Sequence, residues 1–177
     1  MLTVGLAQIA PIWLNKKKTI EKIIRYIDIA ISISPNSALF HWSKSIFLSQ
    51  IGEFRFSLDS MNRAIELTPV AQYVHNRAVI FINLGNFNLA LQDLDKCIDL
   101  ETSLSLYRFH RGLVHTLEEN YELALNDYVT SLEINPSEEQ LLLSIKADLI
   151  RYCLRNDITL NMDTGLIKQK LNRSHDD

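Results

Sequence analysis

The sequence predicts an all-α protein made of stacked helix pairs, and three observations carry that reading. Three consecutive segments of nearly equal length, starting at Ala38, Ala71 and Ser105, align with one another without internal gaps. Within each, apolar and small residues recur at steps of three and four, which is the spacing of one face of a helix. Each ends near a proline or its equivalent, Pro69, Thr102 and Pro136, where a helix must stop because proline lacks the donor and crowds the preceding turn. A fixed period of a few tens of residues signals a repeat architecture before any single segment is judged.

Taken in order, the stretch 1–37 forms a degenerate N-terminal unit. Ile20, Ile23, Ile27, Ala30 and Ile33 repeat the apolar and small columns of the later second helices, and Pro35 stands one period before Pro69. This predicts a helix over 19–33. Pro11 would sit inside any helix before it, so strand or extended chain is admitted there, near 3–9.

The repeats themselves occupy 38–70, 71–104 and 105–138. First helices are expected over 38–50, 71–83 and 105–117, and second helices over 54–67, 87–100 and 121–134. The second helices share an aromatic column (Phe54, Phe87, Tyr121), a small one (Ser57, Ala90, Ala124) and a bulky one (Met61, Leu94, Tyr128). A second small column (Ala64, Cys97, Ser131) and an aliphatic one (Leu67, Leu100, Ile134) follow. Small residues let a neighbouring helix come close while the bulky ones fill the space between. Gly52 and Gly85 mark the turn inside each pair, and Glu119 with Asn120 replaces the glycine and its neighbour in the third unit, where asparagine can take the left-handed backbone. A capping helix is expected over 138–156, with Leu142, Ile145, Leu149 and Tyr152 on one face. The stretch 157–177 has broken periodicity and reads as a loosely held tail.

These columns resemble the tetratricopeptide-repeat (TPR) family over about 38–137. The resemblance implies helix-turn-helix units stacked into a right-handed superhelix with a concave groove, and hence a protein-interaction module or scaffold. It departs in the first helices: His41, Val74 and Arg108 stand where the family often has tryptophan, and Lys44, Arg77 and Arg111 where it favours leucine. A second, weaker resemblance covers residues 1–30. VGLAQIAPIWLNKKKTIEKIIRYIDIA is similar to the opening strand, loop and first helix of the nitrilase/amidohydrolase superfamily. The segment that would bring that family's glutamate is replaced by SISPNS, so no residue is carried over as catalytic, and a nitrilase-type fragment without its working parts stands as the alternative. A self-associating structural unit is the further alternative.

Composition narrows the remaining classes. With 47% hydrophobic and 22% charged residues the chain has the material for a packed core. A net charge of -3 and a pI near 5.9 give no general attraction to nucleic acid or an anionic membrane. No run reaches the roughly 18 apolar residues of a membrane span, and the N-terminus lacks the basic start of a secretory signal, so a cytoplasmic location is the expectation. Cys97 and Cys153 are far apart and outside any CxxC pair, which points to reduced thiols rather than a disulfide or zinc site.

No catalytic, metal or cofactor site is expected. His110 and His115 lie five apart, whereas helical metal pairs use three or four, and GxSxG, P-loop, GxGxxG and HExxH motifs are absent from the sequence. The TPR resemblance implies that some members hold acidic chaperone tails through a clamp of lysine, asparagine and arginine. The matching positions here are Trp42, Ile46, Asn76, Leu106 and His110, of which only Asn76 fits, so that ligand is not expected. The same mapping places Leu39, Trp42, Ile46, Gln72, His75, Val79, Ile82, Leu106, Phe109, Leu113 and Leu143 along the groove. Most of these are apolar, which predicts an apolar or amphipathic peptide or protein ligand, unless neighbouring segments cover them and make them ordinary core.

Overall fold

The computed structural model describes the backbone of residues 2–135, with side chains from Asn15 onward. Among the described residues there are seven helices and no strand: α1 (Leu2–Ile33), α2 (Ala38–Gln50), α3 (Phe54–Leu67), α4 (Ala71–Asn83), α5 (Phe87–Leu100), α6 (Ser105–Leu117) and α7 (Tyr121–Ile134). From α2 onward every boundary coincides with the sequence expectation. The capping helix over 138–156 and the tail lie outside the described residues, as do Leu143 and Cys153.

The N-terminal stretch corrects one expectation. Residues 3–9 are neither strand nor extended chain; they belong to α1, which runs unbroken for 32 residues through Pro11. A proline inside a helix costs about 3 kcal/mol in lost hydrogen bonding and ring crowding. Strong helix formers on either side, Leu6, Ala7, Gln8 and Ala10 before it and Leu14 after it, favour continuing the helix across it.

The chain divides into two compact units, Met1–Leu84 and Gly85–Asp177. In the first, α2 packs mainly on α3, with α1 against α2 and α3 against α4. Ser57, Met61 and Ala64 of α3 are completely buried, as is Ser45 of α2. Ser45 is small enough for its helix to approach α3 closely, and the Ser57 hydroxyl donates to the Ser45 carbonyl at 2.8 Å. Burying a side chain of the size of Met61 contributes roughly 1.5–3 kcal/mol.

In the second unit α6 packs on α7 and α5 on α6. Ala124, Tyr128 and Leu132 form one core cluster there, with Phe109 and Leu125 packed against them. The Tyr128 hydroxyl lies 2.9 Å from that of Thr116, so the largest buried side chain keeps a polar partner. Gly112 lets α6 approach α7: a Cβ there would stand 2.6 Å from a Tyr128 ring carbon. No helix among the described residues is long and apolar enough to cross a membrane.

Candidate functional site

The first helices carry the residues at which a ligand is expected, and each unit has its own set of them. In the first unit Leu39 and Gln72 are exposed, while Trp42, Ile46, Val79 and Ile82 are half-buried. His75 is buried, with 8% of its surface accessible, so it belongs to the packed interior rather than to an open face. Trp42 stacks on Tyr73 with ring centroids 5.8 Å apart, and its indole N–H is enclosed without a hydrogen-bond partner. An unpaired buried donor costs about 1–3 kcal/mol, and the ring is fixed by packing on one side.

Ile46 and Val79 come together in a cleft of about 300 Å³ between α2, α3 and α4. Met61 and Ile80, both almost fully buried, form its apolar floor. Gln50, Asn76 and Asn83 stand around it. The Asn83 amide donates to the Val79 carbonyl at 2.8 Å, leaving its oxygen able to accept. Among the described residues the carboxamides of Asn76 and Gln50 have no partner. An apolar floor bordered by unengaged amides suits an extended peptide, whose side chains seek the floor and whose backbone groups need donors and acceptors. Sequence reasoning singled out Asn76 but missed Gln50 and Asn83. They occupy one repeat column, the last position of the first helix, and a column-by-column reading of polar residues would have found them.

In the second unit Leu106 is 41% exposed, and Phe109 and Leu113 are half-buried. Phe109 packs on Tyr128 at 5.9 Å and lies edge-on to His110 at 5.4 Å. His110 Nδ1 is 3.0 Å from the Leu106 carbonyl, and burial lowers the pKa of its ring. Cys97 is wholly buried. Among the described residues no three His, Cys, Asp or Glu side chains converge on a metal position.

The basic residues Lys44, Arg77 and Arg111 have a common explanation. Lys44 reaches Asp28 of α1 at 2.6 Å, Arg77 donates to Asn62 of α3 at 3.0 Å, and Arg111 donates to Asp95 of α5 at 2.7 Å. Asp28, Asn62 and Asp95 are one column of the second helices, so each first helix is tied to the helix before it by the same polar rung. Arg111 adds a bidentate pair with the buried Asp127 of α7, at 2.8 and 2.6 Å, and these two carboxylates hold its guanidinium firmly protonated. The pairing leaves these cations engaged within the fold.

Regularly recurring helix pairs, with glycine or its substitute at the turn and small residues at the close approach, define an all-α protein of the tetratricopeptide-repeat type. Residues 71–103 match the tetratricopeptide-repeat family model. The chain is 38% identical over 92 residues to Tetratricopeptide repeat protein 13 of Homo sapiens, a match covering 51% of this chain and 11% of that protein, so the chain spans a small part of that relative. Among solved structures it is similar to MamA, with a TM-score of 0.71, 18% identity and coverage of 91% and 92% of the two chains. It is also similar to the first TPR of Spaghetti (RPAP3) bound to HSP90 peptide SRMEEVD, with a TM-score of 0.62, 20% identity and coverage of 66% and 93%. The nitrilase resemblance is not supported: the strand it implied is part of α1, and these relatives are repeat proteins or share the repeat fold.

Proposed function

We propose that this chain is a protein-interaction module whose first-helix face receives an apolar or amphipathic segment of a partner protein, with the cleft of the first unit as its main pocket. The observation that carries the reading is the cleft itself, where Ile46, Met61, Val79 and Ile80 form an apolar surface beside the free carboxamides of Asn76 and Gln50. The Spaghetti domain, similar in fold, was solved with a bound peptide, which supports peptide binding as the general mode. The acidic sequence of that peptide is not the ligand proposed here. Lysine and arginine are absent from the matching positions Trp42, Ile46, Leu106 and His110, and a carboxylate pair needs cations to hold it.

Leu39, Trp42, Ile46, Gln72, Val79 and Ile82 complete the proposed face of the first unit, and Leu106, Phe109 and Leu113 are proposed as a face of the second unit by itself. Catalysis is no part of the proposal. Fluorescence anisotropy with a library of labelled peptides provides the test. Apolar or amphipathic peptides are expected to bind, Val79→Glu to weaken them at least tenfold by placing a charge on the pocket wall, and Asn76→Ala to weaken them several-fold. Tight binding of SRMEEVD in preference to every apolar peptide would refute the reading.

A further inference from the structure

The N-terminal helix α1 is built differently from every other second helix. In α3, α5 and α7 the positions equivalent to Ile23, Ile27 and Ala30 are completely buried: Ser57, Met61, Ala64; Ala90, Leu94, Cys97; Ala124, Tyr128, Ser131 with at most 1% accessible. In α1 all three are only half-buried. Tyr26 is 61% exposed where its equivalents Ser60, Asp93 and Asp127 are at most 8%. In α2–α3 and α6–α7, the pair's own first helix packs across this face. Among the described residues, α1 packs against α2.

The repeat columns say where a first helix for this face would lie. Shifted back by one period from α2, it falls on 4–16, and α1 carries that stretch onward as one helix. At 1.5 Å per residue α1 is about 48 Å long and α2 about 20 Å, so α2 can accompany less than half of it. Residues 2–14 contain no charged side chain. Leu2, Leu6, Ile9, Trp13, Lys16, Ile20, Ile23, Ile27 and Ala30 follow one another at alternating steps of four and three, the register of a helix that pairs with another along its length; Lys16 is the single polar member, and Ile20 is already buried within its own copy.

We propose that two copies of this chain form an isologous, antiparallel dimer through α1, residues 2–14 of each covering the open face at Ile23, Tyr26, Ile27 and Ala30 of the other. This is a swapped arrangement: the segment that the repeat register assigns to the first helix of the N-terminal unit cannot fold back on its own copy's face while α1 is one continuous helix, and reaches the equivalent face on the second copy. The contact follows the pairs already present. Ser49 of α2 meets Ser57 of α3 with hydroxyl oxygens 2.7 Å apart, and the equivalent positions are Asn15 and Ile23. Ser57 also meets Ser45 at 2.8 Å, whose equivalent is Pro11, so antiparallel pairing in that register puts the two-fold axis between Lys17 and Thr19. Lys18 and Lys22, both exposed, lie off that stripe.

The test uses the full chain with Asn15→Cys and Ile23→Cys together, compared with each single variant, under mild oxidation. In one straight helix these positions are about 12 Å apart, too far for a disulfide, so a bond within one copy requires α1 to break and fold back. The expected result is a covalent dimer on a non-reducing gel, absent from both single variants, and a dimeric mass for the unmodified chain by sedimentation velocity. Tyr26→Glu, on an exposed position that leaves the fold intact by circular dichroism, is expected to raise the dimer dissociation constant at least tenfold. A bond within one copy would show that residues 2–14 cover their own face and would overturn the proposal. So would a monomer that forms no bond, whether it stays free or sediments with phosphatidylglycerol vesicles, the latter assigning the face to a lipid surface.

Discussion

Gly112 shows how closely the repeat fold is set by single side chains. Its column holds Ser45 and Ala78 in the other repeats, both wholly buried, and glycine appears in the repeat whose bulky column is tyrosine. The added methyl of Gly112→Ala would stand 2.6 and 2.8 Å from ring carbons of Tyr128 and 3.2 Å from the Ala124 carbonyl oxygen. Tyr128 is almost fully enclosed and its hydroxyl is held by Thr116, so the ring has little room to move. Alanine gains about 1 kcal/mol in helix propensity over glycine, whereas overpacking costs about 1–3 kcal/mol. We expect Gly112→Ala to destabilise the fold by about 1–2 kcal/mol in chemical denaturation, and Gly112→Ala with Tyr128→Leu to recover most of the loss.

At the scale of the element, the turns and the polar rungs decide how helices join. Gly52 and Gly85 have positive φ, 81° and 73°, and in the third repeat Glu119 takes φ 62°. The left-handed position is therefore filled by the glutamate and not by Asn120, whose φ is -87°. The reason is the hydrogen-bond frame: the Asn120 amide donates to the His115 carbonyl at 2.8 Å, as the Glu53 amide does to Leu48 at 3.0 Å, and this fixes which residue must turn. A non-glycine residue there costs about 1 kcal/mol, so Glu119→Gly is expected to stabilise the protein by about 0.5–1 kcal/mol, read as a raised melting temperature. The Arg111 rung predicts the opposite sign. Arg111→Leu restores the residue the repeat family favours, yet it strands Asp127, which is 3% accessible, and should cost about 3–5 kcal/mol. The double change Arg111→Leu with Asp127→Leu should regain most of that in a double-mutant cycle, because it removes the buried carboxylate together with the partly exposed guanidinium that pairs with it. Lys44 and Asp28 are more exposed, with 29% and 48% of their side chains accessible, and their pair is expected to contribute under about 1 kcal/mol.

For the molecule as a whole, the described residues are all-α and the relatives carry or share the repeat architecture, so the nitrilase resemblance of residues 1–30 is not supported. We expect no ammonia release from a panel of amides and nitriles, and no change on Cys97→Ala or Cys153→Ala; turnover abolished by either substitution would reverse that expectation. The sequence by itself determined the repeat and, from α2 to α7, the helix boundaries, because periodicity, glycine turns and prolines act locally and need no partner to be read. It also marked Ile46 and Val79 as one apolar face. Only the tertiary structure decided that α1 continues through Pro11, that His75 lies in the interior, and that Gln50 and Asn83 join Asn76 around the cleft. Those outcomes depend on which surfaces meet: helix continuation competes with one proline's local cost, and a side chain at a fixed register is open or enclosed according to the helix packed beside it. The basic residues at 44, 77 and 111 make the same point. Read alone they are departures from an apolar pattern, and their partners on the preceding second helix, Asp28, Asn62 and Asp95, become neighbours only when one helix stacks on the next.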